Sequence, residues 1–208
     1  MRPTMEQLTE TLDQPRSSAG SARAQQLAAL TDRLESRHGY TSDHTTAVTM
    51  LAVAIGRRLG LGVEELAVVE LGARLHDVGK LEVPEAILSK PAALDEREWR
   101  AMRGHVESGE RLLHRVVDLP AVLGVVRWHH ERWDGDGYPD GKRGEEIPLA
   151  ARIVAVADAF QAMVEARPYR KGRTERAALQ EIRRHAGSQF DPRCVEALRD
   201  VFRNAVAG

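Results

Sequence analysis

The chain has 208 residues, of which 42% are hydrophobic and 29% charged, a balance typical of a soluble protein with one hydrophobic core. Its net charge of −1 gives no electrostatic case for binding DNA or a membrane surface, and no apolar run is long enough to cross a bilayer. The single cysteine, Cys194, excludes an internal disulfide and a cysteine-based zinc site, and its helical apolar neighbours predict a packed thiol. No signal-peptide pattern opens the chain, so we expect a cytoplasmic protein.

The first part of the chain is predicted to differ from the rest. Residues 1–20 are polar and predict a flexible lead-in, whereas residues 21–38 carry leucines on one helical stripe. The helix over 21–38 either lies on the domain, which we favour, or forms the end of a signalling or dimerisation helix, which would give a homodimer. Residues 39–208 are predicted to form one domain.

Helical periodicity dominates this domain, because apolar residues recur at spacings of three and four, and no segment alternates cleanly enough to form a sheet. The segment 132–147 is rich in glycine, aspartate and proline, which predicts a loop. The predicted helices span about 44–58, 63–76, one or two helices within 95–116, 120–131, 148–166, 173–186 and 192–204. The predicted fold class is therefore all-α, a single helical bundle with a short extra N-terminal helix.

The most informative feature of the sequence is a set of histidines and aspartates at or near helix ends. In chain order they are His44, His76, Asp77, His105, His129, His130 and Asp158. Each stands beside apolar residues, where an imidazole or a carboxylate is costly unless it is paired or bound to a metal. The pattern predicts a buried cluster of nitrogen and oxygen ligands, and such ligands without a thiolate suit iron, manganese or zinc.

Taken one at a time, these residues also have ordinary interpretations. An adjacent His76-Asp77 pair is often a helix-end hydrogen bond, and His105, alone on its helix, is typical of a partly buried histidine with ordinary partners. Asp158 is a stronger signal, because valines and alanines surround it and an ionised carboxylate there needs a cation. A glycine and Lys80 follow the first pair closely, and they add a tight turn and a positive charge suited to a phosphate.

A longer set of residues resembles the HD-GYP phosphodiesterases of the HD superfamily. It consists of His76-Asp77 with Gly79-Lys80, followed by the run His-His-Glu-Arg-Trp-Asp-Gly-Asp-Gly-Tyr-Pro over residues 129–139. The resemblance extends from roughly residue 44 to residue 192, and it includes the segments 90–91, 145–148, 167–170 and 190–192. It implies a helical bundle of HD-domain type with a two- or three-metal centre, often of iron or manganese, that hydrolyses cyclic di-GMP.

The resemblance also implies roles for individual residues. The implied metal ligands are His76, Asp77, His105, His129, His130 and Asp158. Asp77 is expected to bridge two ions and, together with Lys80 near the scissile phosphate, to be catalytic. The implied substrate contacts are Lys80, Tyr138, Arg167 and Arg170. His44 matches the histidine that opens the family motif.

Three positions depart from the family pattern. Tyr40 stands where members with three metals have a glutamate, and a phenol is a poor substitute for a carboxylate at neutral pH. We therefore expect two divalent ions, iron or manganese first, with zinc, nickel or magnesium as alternatives, and His44 is either a weakly used ligand or a group that supports one. Gln161 replaces the usual aspartate three residues after Asp158, so it is expected to face the site as a substrate contact without negative charge. Ala47 replaces the usual arginine.

The leading hypothesis is a metal-dependent phosphodiesterase, in which a hydroxide held between two metals attacks phosphorus in line and opens cyclic di-GMP to linear pGpG, with GMP as a further product. Two alternatives stay open: a catalytically weak cyclic-di-GMP sensor or protein-interaction module, which Tyr40 and Gln161 favour, and an HD phosphohydrolase acting on another nucleotide.

The loop of Gly137, Tyr138 and Pro139 either shapes a turn or, as the resemblance implies, forms a surface for substrate or for partners such as diguanylate cyclases and adaptor proteins.

Overall fold

The structure is a computed structural model that describes residues 25–27, 29–30, 32–34, 36, 42–116, 118–166 and 171–205. Within these residues the regular elements are helical and no strand occurs, so the predicted all-α class is confirmed. The helices are α1 (Ser42–Arg58), α2 (Val63–Leu75), α3 (Glu85–Leu88), α4 (Glu96–Arg103), α5 (His105–Leu113), α6 (Pro120–Trp128), α7 (Leu149–Val164), α8 (Glu175–Arg184) and α9 (Pro192–Ala205), with 3-10 turns at Val78–Glu82 and Gly144–Glu146.

Helix ends follow signals that are local in the sequence. The start of α4 has a reciprocal cap: the Asp95 carboxylate accepts from the Glu98 backbone N at 2.8 Å, and the Glu98 carboxylate accepts from the Asp95 backbone N at 2.9 Å. α6 begins at Pro120, whose fixed φ suits a first helical position. Gly60, at φ 79°, follows the end of α1 in the left-handed conformation that glycine adopts without strain. Such local signals explain why most predicted helix bounds lie close to the observed ones.

Two predicted segments differ from the structure, whereas a third agrees with its prediction. The stretch 95–116, predicted as one or two helices, holds two, α4 and α5, which meet at Gly104. The predicted helix 120–131 ends at Trp128, because the bond from Glu131 N to Trp128 O already closes a turn into the glycine-rich loop. The stretch after Pro84, which lies outside the predicted helices, contains the single turn α3. The early end of α6 matters most, because it leaves two histidines at a helix terminus, where adjacent side chains can face one site.

Two apolar clusters hold the helices together. The first is built mainly on α1, α2, α7 and α9, and Cys194 lies within it. Burial raises the pKa of the Cys194 thiol, so the predicted packed thiol is confirmed. The buried members of the second cluster are Leu34, Leu75, Val78, Leu113, Val122 and Val126. Because α2 packs against α1, α6 and α7, and α5 packs against α6, the ends of α2, α5 and α6 meet on one side of the bundle.

Gly79 allows the closest backbone approach at this meeting point. A Cβ added at Gly79 would lie 1.8 Å from the His105 carbonyl oxygen and 2.4 Å from the Gly109 backbone nitrogen. A side chain of any size would therefore push the 3-10 turn at Val78–Glu82 away from α5. The glycine next to the His76-Asp77 pair thus positions that pair against His105.

The N-terminal leucines contact the domain. Leu34 is fully buried in the second cluster, and Leu27 and Leu30 are partly buried against it. The described part of the predicted helix over 21–38 therefore packs on the domain, which supports the interpretation that we favoured. The predicted lead-in, residues 1–20, lies outside the described residues. Among the described helices, none is long and apolar enough to cross a membrane.

Candidate metal centre

Three histidines from three helix termini share one arrangement. His76, His105 and His129 are buried, and the Nδ1 atom of each lies within hydrogen-bond distance of the backbone carbonyl three residues earlier. These contacts are 2.7 Å to Ala73 O, 2.7 Å to Met102 O and 3.0 Å to Val126 O, respectively. Because a carbonyl can only accept, each Nδ1 must carry a proton, and in the neutral form of the imidazole this leaves the Nε2 lone pair available for a cation.

The three Nε2 atoms fit a metal ion. Within the described part of the chain they are buried and have no hydrogen-bond partner. A buried polar atom without a partner costs about 1–3 kcal/mol, so three together call for an occupant that accepts their lone pairs. His105 and His129 belong to one candidate ligand group and His76 to another, so divalent cations in both groups would satisfy them. The bond from each Nδ1 to a carbonyl fixes the ring orientation, as is usual for metal-binding histidines.

The rings and Asp77 lie close enough to form one cluster. Ring centroids are 5.0 Å apart for His76 and His129, 5.5 Å for His105 and His129, and 5.1 Å for His105 and His130. Asp77 Oδ2 lies 3.3 Å from His76 Nε2, and Asp77 Oδ1 lies 3.5 Å from His105 Nε2. The two oxygens of one buried carboxylate thus face two different imidazoles, which is the placement that a carboxylate bridging two ions requires.

Two ligand groups share this cluster. One comprises His105, His129 and His130, and the other comprises His44, His76 and Asp77; in each group the potential ligand atoms lie within 4.8 Å of one another. The two groups therefore contain every ligand predicted from the sequence except Asp158. Asp158, the remaining one, lies against His44, with Asp158 Oδ1 3.2 Å from His44 Nε2.

Electrostatics keeps most of this set in the protonation state that metal binding needs. Burial lowers the pKa of His105, and more strongly the pKa of His129 and His130, so these imidazoles are neutral. Burial alone would raise the pKa of Asp77, but Lys80, with Nζ 2.6 Å from Asp77 Oδ2, and His76 hold it well below its usual value. His76 is the exception: burial lowers its pKa, but the Asp77 carboxylate outweighs burial and raises the pKa to about 9. A metal ion at His76 would take the place of that proton.

His44 lies between two carboxylates of the α7 region. Its Nε2 faces Asp158, and its Nδ1 lies 3.1 Å from Glu165 Oε2. Burial would raise the pKa of Asp158, but the contact with His44 and the charge of His76 lower it to about 2. Glu165 is not among the residues predicted from the sequence; its spacing of seven residues from Asp158, two helical turns on one face, is the signal that could have found it.

Of the predicted substrate contacts, Lys80 and Tyr138 directly contact residues of the cluster. Tyr138 stacks on His130, with ring centroids 5.0 Å apart and an interplanar angle of 26°. Gln161 is half-buried on α7, one turn after Asp158. The predicted contacts Arg167 and Arg170, and the departure at Tyr40, lie outside the described residues.

Two acidic side chains anchor the loop that carries Tyr138. Asp140 accepts two hydrogen bonds from Arg127, at 2.8 and 2.7 Å, and one from Trp128 Nε1 at 2.7 Å. Buried Glu131 accepts from the Asp140 backbone N at 2.7 Å. The loop is therefore tied to the end of α6, the same helix end that carries His129 and His130. The sequence analysis identified the loop but not these anchoring contacts.

The fold and this cluster define a class of protein: an all-α domain with a histidine–aspartate metal site at converging helix ends. Residues 25–194 match the family model of the HD domain, and the chain belongs to the HD-domain family. The HD-GYP resemblance seen in the sequence is confirmed.

Curated relatives share this domain. The chain is 44% identical over 176 residues to the cyclic di-GMP phosphodiesterase response regulator RpfG of Xanthomonas campestris, a match that covers 83% of this chain and 46% of that protein. It is 38% identical over 180 residues to a cyclic di-GMP phosphodiesterase of Thermotoga maritima, covering 81% and 48%. It is 34% identical over 180 residues to the 3'3'-cGAMP-specific phosphodiesterase 2 of Vibrio cholerae, covering 86% and 34%. The chain thus spans about half or less of the length of these relatives.

Solved structures share the fold. A cyclic GMP-AMP specific phosphodiesterase of V. cholerae aligns with a TM-score of 0.64 at 22% identity, covering 85% of this chain and 47% of that one. The HD domain of the phosphodiesterase PgpH of L. monocytogenes aligns with a TM-score of 0.60 at 14% identity, covering 86% and 99%. At these identities the likeness shows a common fold.

Proposed function

We propose that this domain is a metal-dependent phosphodiesterase that hydrolyses cyclic di-GMP to linear pGpG, with GMP as a further product. The observation that carries the proposal is the set of buried imidazoles around the ionised Asp77: the Nε2 atoms of His76 and His105 face its two carboxylate oxygens, and Lys80 contacts it from the partly exposed side. The cyclic di-GMP phosphodiesterases of X. campestris and T. maritima, at 44% and 38% identity, support the choice of reaction and substrate.

The proposed centre holds two divalent ions, with iron or manganese as the first candidates, because nitrogen and carboxylate ligands suit both. The proposed ligands are His76, Asp77, His105, His129, His130 and Asp158, with Asp77 between the ions. When bound, the ions would supply a nucleophile from water at neutral pH and positive charge next to the phosphate. His44, held between Asp158 and Glu165, is proposed to orient the Asp158 carboxylate and to be a ligand only secondarily.

Side chains around the centre are proposed to hold the substrate. Lys80 is partly exposed, with Nζ on Asp77, so its charge lies where a non-bridging phosphate oxygen would enter. Tyr138 covers His130 and limits access from the loop side. Arg167 and Arg170 are proposed to bind phosphate, and Gln161 is proposed to contact the substrate from α7.

Partner binding and cellular location also belong to the proposal. The Gly137-Tyr138-Pro139 loop is proposed as the contact surface for diguanylate cyclases or adaptor proteins, because its anchoring by Asp140 presents it as a rigid feature. A cytoplasmic location completes the proposal. Because Leu34 is buried against the domain, the N-terminal helix is not proposed as a homodimer contact.

A substrate panel tests the proposed activity. The full chain is loaded with manganese or, without oxygen, with ferrous iron, and is assayed on cyclic di-GMP, 3'3'-cGAMP, cyclic di-AMP and mononucleotides. Formation of pGpG supports the proposal. Turnover of 3'3'-cGAMP alone would move the chain to the substrate named for its V. cholerae relatives. Binding without a linear product would mean a sensor, and turnover of mononucleotides alone would mean a phosphohydrolase of another kind.

A further inference from the structure

A row of planar side chains leads from the candidate metal centre to the surface. Tyr138 stacks on His130, the Arg103 guanidinium lies 5.4 Å from the centre of the Tyr138 ring, and the same guanidinium lies 5.8 Å from the centre of the Trp99 ring. Trp99 is 48% exposed, unlike the buried residues of the two apolar clusters. The row therefore joins the cluster to an indole that faces solvent.

The positions of these residues are set by secondary structure. Trp99 and Arg103 lie four residues apart on α4, so they share one face of the helix. Arg103 is followed by the junction at Gly104 and then by His105, the first residue of α5. A ligand held by Arg103 would thus lie at a fixed position relative to a proposed metal ligand.

The two side chains suit a purine base. An exposed indole offers a face for base stacking, which is worth about 1–3 kcal/mol per base. The Arg103 guanidinium lies within cation–π distance of both rings, and the N–H donors along the edge of a guanidinium can form two hydrogen bonds with O6 and N7 of guanine. Adenine has an amino donor where guanine has O6, so the same arginine meets a donor and loses a bond. A packing role alone would not need nearly half of the indole in solvent.

We propose that Trp99 and Arg103 form a guanine-binding platform at the rim of the site, in which Trp99 stacks on a base of the cyclic dinucleotide and Arg103 binds its O6 and N7 edge. The platform rests on the proposed function, because it deepens the substrate preference of that same site. It selects cyclic dinucleotides that contain guanine.

The test compares Trp99→Ala, Arg103→Ala and Arg103→Lys with wild type and with the control Arg97→Ala, an exposed arginine on the same helix. The manganese-loaded full chain is assayed on cyclic di-GMP, cyclic di-AMP and bis(p-nitrophenyl) phosphate, a diester without a base. Calorimetry with a phosphorothioate analogue of cyclic di-GMP measures binding independently of turnover. Both alanine variants should raise KM and the analogue Kd for cyclic di-GMP about tenfold or more.

The variants should also lose more activity on cyclic di-GMP than on the base-free diester. Arg103→Lys keeps the charge but not the planar fork, so it should lose preference for cyclic di-GMP over cyclic di-AMP while remaining active. Arg97→Ala should match wild type in every assay.

Two results would overturn the platform: an unchanged analogue Kd in both alanine variants, or an equal loss on cyclic di-GMP and on the base-free diester. A wild type that binds the analogue but does not hydrolyse cyclic di-GMP would instead refute the proposed function. In that case the analogue Kd of the alanine variants, compared with that of wild type, still tests the platform: a higher Kd supports it and an unchanged Kd refutes it.

Discussion

Replacing Gly79 with alanine tests how the turn after His76-Asp77 is held against α5. The added Cβ would lie 1.8 Å from His105 O and 2.4 Å from Gly109 N, and both are backbone atoms that cannot rotate away. Overpacking costs about 1–3 kcal/mol, and with rigid neighbours on two sides we expect the upper end, about 3 kcal/mol. For a chain of this size, that loss lowers Tm by about 6–12 °C.

The matched control for Gly79→Ala is Gly104→Ala at the other side of His105. The nearest atoms to a Cβ at Gly104 are 3.4 and 3.5 Å away, which is ordinary contact, and its backbone is helical. Calorimetric unfolding of the metal-loaded proteins, with metal content measured by plasma emission, should show a lower Tm and less metal for Gly79→Ala alone. A Tm within about 2 °C of wild type together with full metal content in Gly79→Ala would refute the reasoning.

Three further predictions follow from the site and the core. Asp77→Ala should lose both bound metal and turnover, measured by plasma emission and pGpG formation, while Asp43→Ala, at an exposed position, should keep both. Turnover retained by Asp77→Ala with added manganese would contradict the role of Asp77 as a metal ligand. Removing the metal with a chelator should lower Tm reversibly. A free metal concentration of about 100 times Kd stabilises the folded state by about 2.7 kcal/mol, which corresponds to a Tm shift of about 5–11 °C for a chain of this size. Asp191→Ala should cost about 3 kcal/mol in urea unfolding, because it leaves the largely buried Arg152 guanidinium without the carboxylate that lies 2.6 Å away; a cost below about 1 kcal/mol would contradict this.

Much of the fold could be predicted because helix formation depends on neighbours along the chain. The spacing of apolar residues predicted α2, α7 and α9 closely, since a helix repeats every 3.6 residues and its buried face must be apolar. The end of α6 was placed three residues too late, because the apolar pattern carries on to Trp128 and the histidines beyond it can continue a helix as well as end one.

The kind of site was also readable from residue types. Histidines and aspartates in apolar surroundings need a hydrogen-bond partner, an opposite charge or a metal ion, and so many of them in one chain favour a metal. This reasoning predicted the residues that converge around Asp77 and a phosphate-binding charge at Lys80, and the HD-GYP resemblance added Tyr138. It could not rank His44, because the sequence does not show that Asp158 and Glu165 lie on either side of its ring.

What the sequence by itself determined is therefore the helical class, the family and the chemical nature of the cluster, because each depends on local periodicity or on residue identity. Only the tertiary structure decided which groups face one another across the bundle. His44 meets Glu165 across 121 positions of the chain, Arg127 anchors Asp140 from another element, and Arg103 reaches Tyr138 from α4. These contacts depend on how the helices pack and which way each side chain points, and no local pattern in the sequence specifies either.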